Sequence, residues 1–160
     1  MPALLPNKFM LSEHESYPDD SSDKEVWIQA QGLSYKGYGD RHVLIYFCNS
    51  GGEVPFWQII QLSGQASNYA YYSPVVQKHS MESMKDVNMN ISLGTMTRAQ
   101  RDQMLALAEA IKFNPKSTVN GCRVWTRDLL SAMVAAGLIT QEKFEEIDKA
   151  IPLVKRVPEV

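Results

Sequence analysis

Strand signals and helix signals occupy separate parts of this chain. Between residues 25 and 92 the apolar segments are short, rich in β-branched and aromatic residues, and separated by turn-forming residues, a pattern typical of strands. Between residues 97 and 151 the apolar residues recur instead at helical spacing. This segregation predicts an α+β fold in which an antiparallel sheet of four to five strands packs on three C-terminal helices.

Three segments carry the clearest strand pattern. They are residues 25–31, 42–48 and 56–62, and weaker candidates follow at 69–72 and 87–91. The second and third segments are separated by Asn49-Ser50-Gly51-Gly52, and both Asn and Gly adopt the positive φ angles of tight turns easily. We therefore expect these two strands to form an antiparallel hairpin.

Residues that typically cap or terminate helices mark where the helices begin and end. Thr97 and Gln100 make a capping box in front of a helix over residues 98–112. Thr140 is placed to cap a short last helix that Pro152 closes. These signals predict where the first and last helices lie.

The middle helix is predicted over about 121–136, with Asn120 as its N-cap and Gly137 as its stop. Its apolar face, which we expect to pack on the sheet, consists of Trp125, Leu129 and Met133. Before the sheet, residues 12–23 are acidic, rich in serine and nearly free of aliphatic residues. We therefore expect a poorly ordered arm over 1–24, one α+β domain over 25–152 and a tail over 153–160.

Composition excludes several classes of function. The net charge is −2 and the isoelectric point is near 5.9, whereas nucleic-acid-binding proteins usually carry a basic field. The chain has no apolar run long enough to span a membrane and no signal-peptide pattern, so we expect a cytoplasmic protein. Its two cysteines and three histidines are scattered, which predicts no metal site, no disulfide framework and no cofactor.

Cys122 is the first candidate for chemistry. A thiol at the start of a helix lies beside unpaired backbone N–H groups and the positive end of the helix dipole, which favours the nucleophilic thiolate. The neighbouring Arg123 acts in the same direction. The alternative is an inert cysteine packed in the core under Trp125.

His42 is the second candidate, because it opens the strongest strand and strand ends commonly display catalytic bases. A base of this kind needs a third group to fix its tautomer. Gln58 or Gln61 could supply it from the next strand, and we place Gln58 in the catalytic set. Cys48 lies about 20 Å along the strand from His42 at 3.3 Å per residue, so we expect it to be structural. The alternative for His42 is a surface histidine.

Four candidate substrate-binding residues lie close to His42 or to Cys122 in the sequence. They are Tyr35, Tyr38, Asn120 and Trp125. Tyrosines could line a ligand pocket, although core packing explains tyrosines equally well.

The segments Asn120-Gly121-Cys122-Arg123-Val124-Trp125 and Ala136-Gly137-Leu138-Ile139, together with the earlier His42 strand, resemble two groups of proteins. One is an uncharacterised fungal family with an Asn-Cys-x-x-Trp helix. The other, more distant, is the circularly permuted papain-like superfamily that includes lecithin–retinol acyltransferase-like and NlpC-type proteins. The resemblance implies a permuted papain-like fold with Cys122 as nucleophile and His42 as base. Gly121, inserted between Asn and Cys, departs from the fungal pattern.

The leading hypothesis from the sequence is a cysteine-dependent acyl-transfer or hydrolytic enzyme, of the amidase, thioesterase, peptidase or acyltransferase type, that acts on a small-molecule or acyl substrate. One alternative is an inactive small-molecule or protein-binding domain on the same scaffold. Another is a non-hydrolytic enzyme with a tyrosine-lined pocket. The sequence leaves the oligomeric state open.

Overall fold

A computed structural model describes residues 17–31, 42–51, 55–72, 74–77, 88–151 and 153–159. Within these ranges the chain forms seven strands followed by three helices. The strands are β1 (Lys24–Ala30), β2 (Val43–Asn49), β3 (Phe56–Ile60), β4 (Leu62–Gln65), β5 (Asn68–Tyr71), β6 (Val75–Gln77) and β7 (Met89–Met96), and the helices are α1 (Arg98–Ala110), α2 (Cys122–Ala135) and α3 (Gln141–Ala150).

Five of the strands form one sheet in the order β6-β3-β2-β1-β7, with every neighbouring pair antiparallel. The predicted α+β class and the predicted size of the sheet are confirmed. The hairpin between β2 and β3 is confirmed as well, with Ile45 opposite Ile60 and Cys48 opposite Trp57. The sequence did not indicate β6, because three residues are too few to show an alternating pattern.

The predicted third strand over 56–62 is too long. β3 ends at Ile60, and after Gln61 the chain enters β4, which pairs with β5 in a separate two-stranded sheet. A glycine is required in this hairpin, because Gly64 has a φ of 103° and a Cβ atom there would lie 2.1 Å from the carbonyl oxygen of Asn68. We refer to β4 and β5 as the small hairpin.

The small hairpin is attached to the loop that leads into α2. The backbone N–H of Ser67 donates to the carbonyl of Ser117 at 2.7 Å, and that of Tyr69 donates to the carbonyl of Pro115 at 2.7 Å. These two backbone hydrogen bonds fix the hairpin relative to the start of α2.

The helices cover one face of the large sheet. Trp125, Leu129 and Met133 of α2 are all buried in the core against this face, as predicted. Core residues from β1 and β2 on the same face are Val26, Ile28, Ala30, Val43, Ile45 and Phe47. A second, smaller cluster forms on the opposite face, where Tyr46 stacks on Trp57 with ring centroids 4.2 Å apart. β2 is therefore the buried centre of the domain.

Two of the three predicted helix caps are present. Thr97 and Gln100 make the full capping box of α1, and the Thr140 side chain accepts from the backbone N–H of Lys143 at the start of α3. The N-cap of α2, however, is Gly121 and not Asn120. Within the described ranges, no helix has both the length and the apolar character needed to cross a bilayer.

Residues 17–23, which we expected to belong to a poorly ordered arm, contact the body of the domain. Asp19 accepts two hydrogen bonds from Arg101, one from Nε at 2.8 Å and one from an Nη atom at 3.1 Å. The Arg101 side chain is fully buried and lies over the Phe47 ring. A burial of this kind is tolerated when the charge is paired and its donors are satisfied, so Asp19 anchors the arm.

Candidate active site

A cavity of about 570 Å³ opens at one edge of the domain, where the start of β2, the small hairpin and the start of α2 meet. The described residues that line it are His42, Gly64, Gln65, Ala66, Tyr69, Thr118, Val119, Gly121, Cys122, Arg123, Val124 and Val154. Pockets of this size hold small-molecule ligands. Two of the predicted catalytic residues, Cys122 and His42, therefore lie together in one cavity.

Cys122 is the first residue of α2. The first N–H groups of a helix have no intrahelical acceptor and are usually capped by a side chain. Here the N-cap is Gly121, which has no side chain to make such a bond. The N-terminal end of α2, which carries the positive end of the helix dipole, therefore lies at the cavity.

His42 lies immediately before β2, and its ring is hydrogen-bonded to two other side chains. Its Nε2 atom makes a short hydrogen bond with Oε1 of Gln61, and the ring is also hydrogen-bonded to the thiol of Cys122. A carbonyl oxygen can only accept, so Nε2 carries the hydrogen. This leaves Nδ1 to exchange a proton with the thiol, which is the geometry of a nucleophile, a base and an orienting residue.

The surroundings of Cys122 favour its thiolate form. Burial acts to raise the pKa of the thiol. Hydrogen bonds from His42 and from the Val43 backbone, together with the charges of His42 and Arg123, outweigh that effect. The pKa of Cys122 is therefore lowered from its usual value, which makes the sulfur a better nucleophile at neutral pH.

The pKa of His42 is shifted in the opposite direction, to a higher value. Burial acts to lower the pKa of the ring, but the hydrogen bonds with Cys122 and Gln61 and the charge of the thiolate raise it overall. A lowered thiol pKa beside a raised imidazole pKa widens the pH range in which the two groups exist as a thiolate and an imidazolium.

Tyr69 also contributes to this site. A Cβ atom on residue 121 would lie 2.6 Å from the Tyr69 hydroxyl oxygen, which is closer than any nonbonded contact allows. Glycine at position 121 therefore lets the hydroxyl group approach the start of α2. We expected that tyrosines could line a ligand pocket, and Tyr69 does line this cavity. Its proximity to Gly121 could not be predicted, because it depends on how the small hairpin docks.

The glutamine hydrogen-bonded to His42 is Gln61 and not Gln58. The amide of Gln58 is buried and bonded elsewhere, since its Oε1 atom accepts from Asn49 at 3.3 Å and its Nε2 atom donates to the Tyr17 carbonyl at 3.1 Å. Our choice of Gln58 over Gln61 is therefore corrected. The reason is that β3 ends at Ile60, which leaves Gln61 outside the strand and next to His42.

Neither Trp125 nor Asn120 is among the residues that line the cavity. Trp125 is buried in the core and packs on Tyr71, with ring centroids 5.2 Å apart. Asn120 is also buried, and its amide binds the C-terminal segment. It accepts from the Val157 backbone N–H and donates to the Val157 carbonyl, both at 2.9 Å. These two substrate-binding assignments are corrected, whereas Tyr35 and Tyr38 lie outside the described residues.

Cys48 differs from Cys122 in its surroundings. It lies on the face of the sheet opposite the helices, next to Trp57, and is exposed. We expected a structural cysteine, but its exposure makes it a useful internal reference for thiol reactivity.

Comparisons with known proteins supply no further constraint, because no family model, no curated protein and no solved structure matches the chain. Among the described residues there is also no group of three or more histidine, cysteine, aspartate or glutamate side chains placed to hold a metal ion. The chemistry of the site is therefore inferred from its own geometry.

Proposed function

We propose that the protein is a cysteine-dependent acyl-transfer or hydrolytic enzyme. The observation that carries this proposal is the position of His42 in the cavity, where it is hydrogen-bonded to both Cys122 and Gln61. An inert core cysteine needs neither an imidazole partner nor a cavity. A nucleophile needs both.

The reaction would begin with attack of the Cys122 thiolate on a substrate carbonyl carbon. The carbonyl π electrons move to the oxygen, and the resulting oxyanion lies near the N–H groups that begin α2 and near the Tyr69 hydroxyl. His42 then gives its Nδ1 proton to the leaving group as the carbon–leaving-group bond breaks. The product of this half-reaction is a thioester on Cys122.

The second half-reaction reverses these roles. Neutral His42 takes a proton at Nδ1 from water or from another acceptor, which attacks the thioester carbonyl. Collapse of the second tetrahedral intermediate releases the acyl product and restores the thiolate. Gln61 holds the ring in one tautomer during both halves, because its carbonyl oxygen accepts from Nε2–H.

The order of the catalytic residues supports membership of the permuted papain-like group. The histidine precedes the cysteine in the chain, the histidine opens a strand of an antiparallel sheet, and the cysteine opens a helix packed on that sheet. The same order is implied by the sequence resemblance. We include this relationship, and a cytoplasmic location, in the proposal.

The test is acylation of the protein by 4-nitrophenyl acetate, followed by peptide mass spectrometry. We expect a burst of 4-nitrophenol equal to one acyl group per chain, with the added mass on the peptide that contains Cys122. Cys122→Ala should abolish the burst and His42→Ala should slow it, whereas Cys48→Ala, the matched control, should leave it intact. A burst that persists in Cys122→Ala, or no burst at all, would favour the alternative of a binding domain that uses the same cavity.

A further inference from the structure

Among the described residues of the cavity wall, the charged side chains are positive. Arg123 lines the cavity one residue after the nucleophile, and the described lining residues include no aspartate or glutamate. His42 adds a second positive charge when it is protonated. A substrate that enters this cavity therefore meets these two positive charges close to the reacting sulfur.

Part of the wall is apolar and could contact a short apolar chain. It consists of Ala66, Val119, Val124 and Val154, whereas Gln65, Tyr69 and Thr118 make other parts of the wall polar. The charge of the Arg123 guanidinium attracts an anion. The planar guanidinium also presents paired N–H donors that match the two oxygens of a carboxylate or of a phosphate.

We propose that the site takes acyl substrates that carry an anionic group, a carboxylate or a phosphate, and that Arg123 binds this group while Cys122 attacks the carbonyl. This inference rests on the proposed acyl-transfer function. It goes further by assigning a substrate class and by making Arg123 the residue that determines specificity.

The first experiment compares two alkylating reagents of similar size, iodoacetate and iodoacetamide, one anionic and one neutral. Both react with the same thiolate, so the ratio of their rates does not depend on how much thiolate is present. We expect this ratio at Cys122 to exceed the ratio at Cys48 in the same molecule. In Arg123→Gln the ratio at Cys122 should fall by about tenfold, the change expected when one charge-assisted hydrogen bond to an anion is lost.

Two variants control this measurement. Arg123→Lys keeps the charge but not the paired donors, and it should retain part of the preference for iodoacetate. Arg127→Gln removes an arginine from the same helix, but Arg127 pairs with Asp148 of α3 at 3.3 Å and does not line the cavity. It should leave the ratio unchanged. An equal ratio in wild type and Arg123→Gln would overturn the proposal, even if Cys122 remains an active nucleophile.

The second experiment distinguishes the two anions and separates this inference from the proposed function. One pair of substrates is mono-4-nitrophenyl glutarate and 4-nitrophenyl pentanoate. The other is S-acetyl-2-mercaptoethyl phosphate and S-acetyl-2-mercaptoethanol. We expect a higher kcat/KM for the anionic member of at least one pair, and loss of that preference in Arg123→Gln. Turnover that needs Cys122 but shows no anionic preference would reject the inference alone, whereas turnover that does not need Cys122 would reject the proposed function.

Discussion

Cys122 and Gln61 are both hydrogen-bonded to the imidazole ring of His42, although 61 positions separate them in the chain. Replacing Gln61 should therefore change the reactivity of the Cys122 thiol through its effect on the position of His42. We expect Gln61→Ala to lower kcat/KM by about a hundredfold, the usual loss when a reacting group is misplaced by about an ångström.

Gln58→Ala is the matched control for this prediction. Gln58 bonds Asn49 and the Tyr17 carbonyl, so its loss should lower the free energy of unfolding and leave kcat/KM of the folded protein unchanged. If both variants lower kcat/KM equally, Gln61 has no special role in orienting His42.

The second prediction concerns the pH dependence of thiol reactivity. The pKa of Cys122 is lowered and that of His42 is raised, so iodoacetamide should label Cys122 well below the pH at which an ordinary cysteine reacts. In His42→Ala, burial still raises the thiol pKa and its largest opposing partner is gone, so the labelling curve should move to higher pH. Labelling of Cys48 in the same samples supplies the reference. Identical curves for Cys122 in wild type and His42→Ala would show that the two groups are not coupled.

A third prediction addresses Gly121 and Tyr69. An alanine at position 121 should push the Tyr69 hydroxyl away, because the added Cβ would lie 2.6 Å from it. The atom that must move is the terminal oxygen of a side chain and not part of the backbone, so the fold should survive. We expect Gly121→Ala and Tyr69→Phe each to lower kcat by about a hundredfold or more, as when one oxyanion donor is removed. Unchanged circular dichroism would establish that the fold is intact, and full activity of Tyr69→Phe would exclude the hydroxyl from the reaction.

The buried ion pair between Asp19 and Arg101 predicts a large effect on stability. The Arg101 side chain is fully buried and that of Asp19 is 5% exposed. Asp19→Asn leaves a buried charge uncompensated and should lower the free energy of unfolding by about 3–5 kcal/mol, as measured by urea denaturation. Asp102→Asn removes the exposed partner of Arg98 and should cost no more than about 1 kcal/mol. Equal losses would mean that the arm does not anchor the domain.

The fifth prediction tests the core face of α2. Trp125 is 1% exposed, and Trp125→Ala should lower the free energy of unfolding by about 3–5 kcal/mol, the usual range for a buried aromatic. Val119 is 54% exposed, and Val119→Ala should change stability by less than about 0.5 kcal/mol. A melting temperature of Trp125→Ala equal to that of the wild type would contradict the packing described above.

The elements that could be predicted from the sequence are those with local signals. The capping residues Thr97 and Thr140 each lie within three residues of the groups they bond, so a short stretch of sequence contains the whole interaction. The pairing of β2 with β3 was predictable for the same reason, because only six residues separate them in the chain.

What the sequence did not indicate depends on distant partners. Asn120 has the side chain of a good N-cap, but Val157, 37 positions later, binds its amide instead. The choice between Gln58 and Gln61 depended on where β3 ends, and helix or strand periodicity places such an end only to within a few residues. Cys122 and His42, in contrast, were identified because a thiol at a helix start and a histidine at a strand start are local features.

The candidate site is built from positions 42, 61 and 122, so it requires the central sheet, the end of β3 and the start of α2 to be in place together. Contacts between residues so far apart in sequence carry a large loop-closure entropy and form slowly. A partly folded chain therefore contains an ordinary thiol at Cys122, and the activated thiol arises only when assembly is complete. The reactivity of the Cys122 thiol is thus an internal probe of folding. The rate at which this reactivity rises during refolding reports the rate of the last step of tertiary assembly.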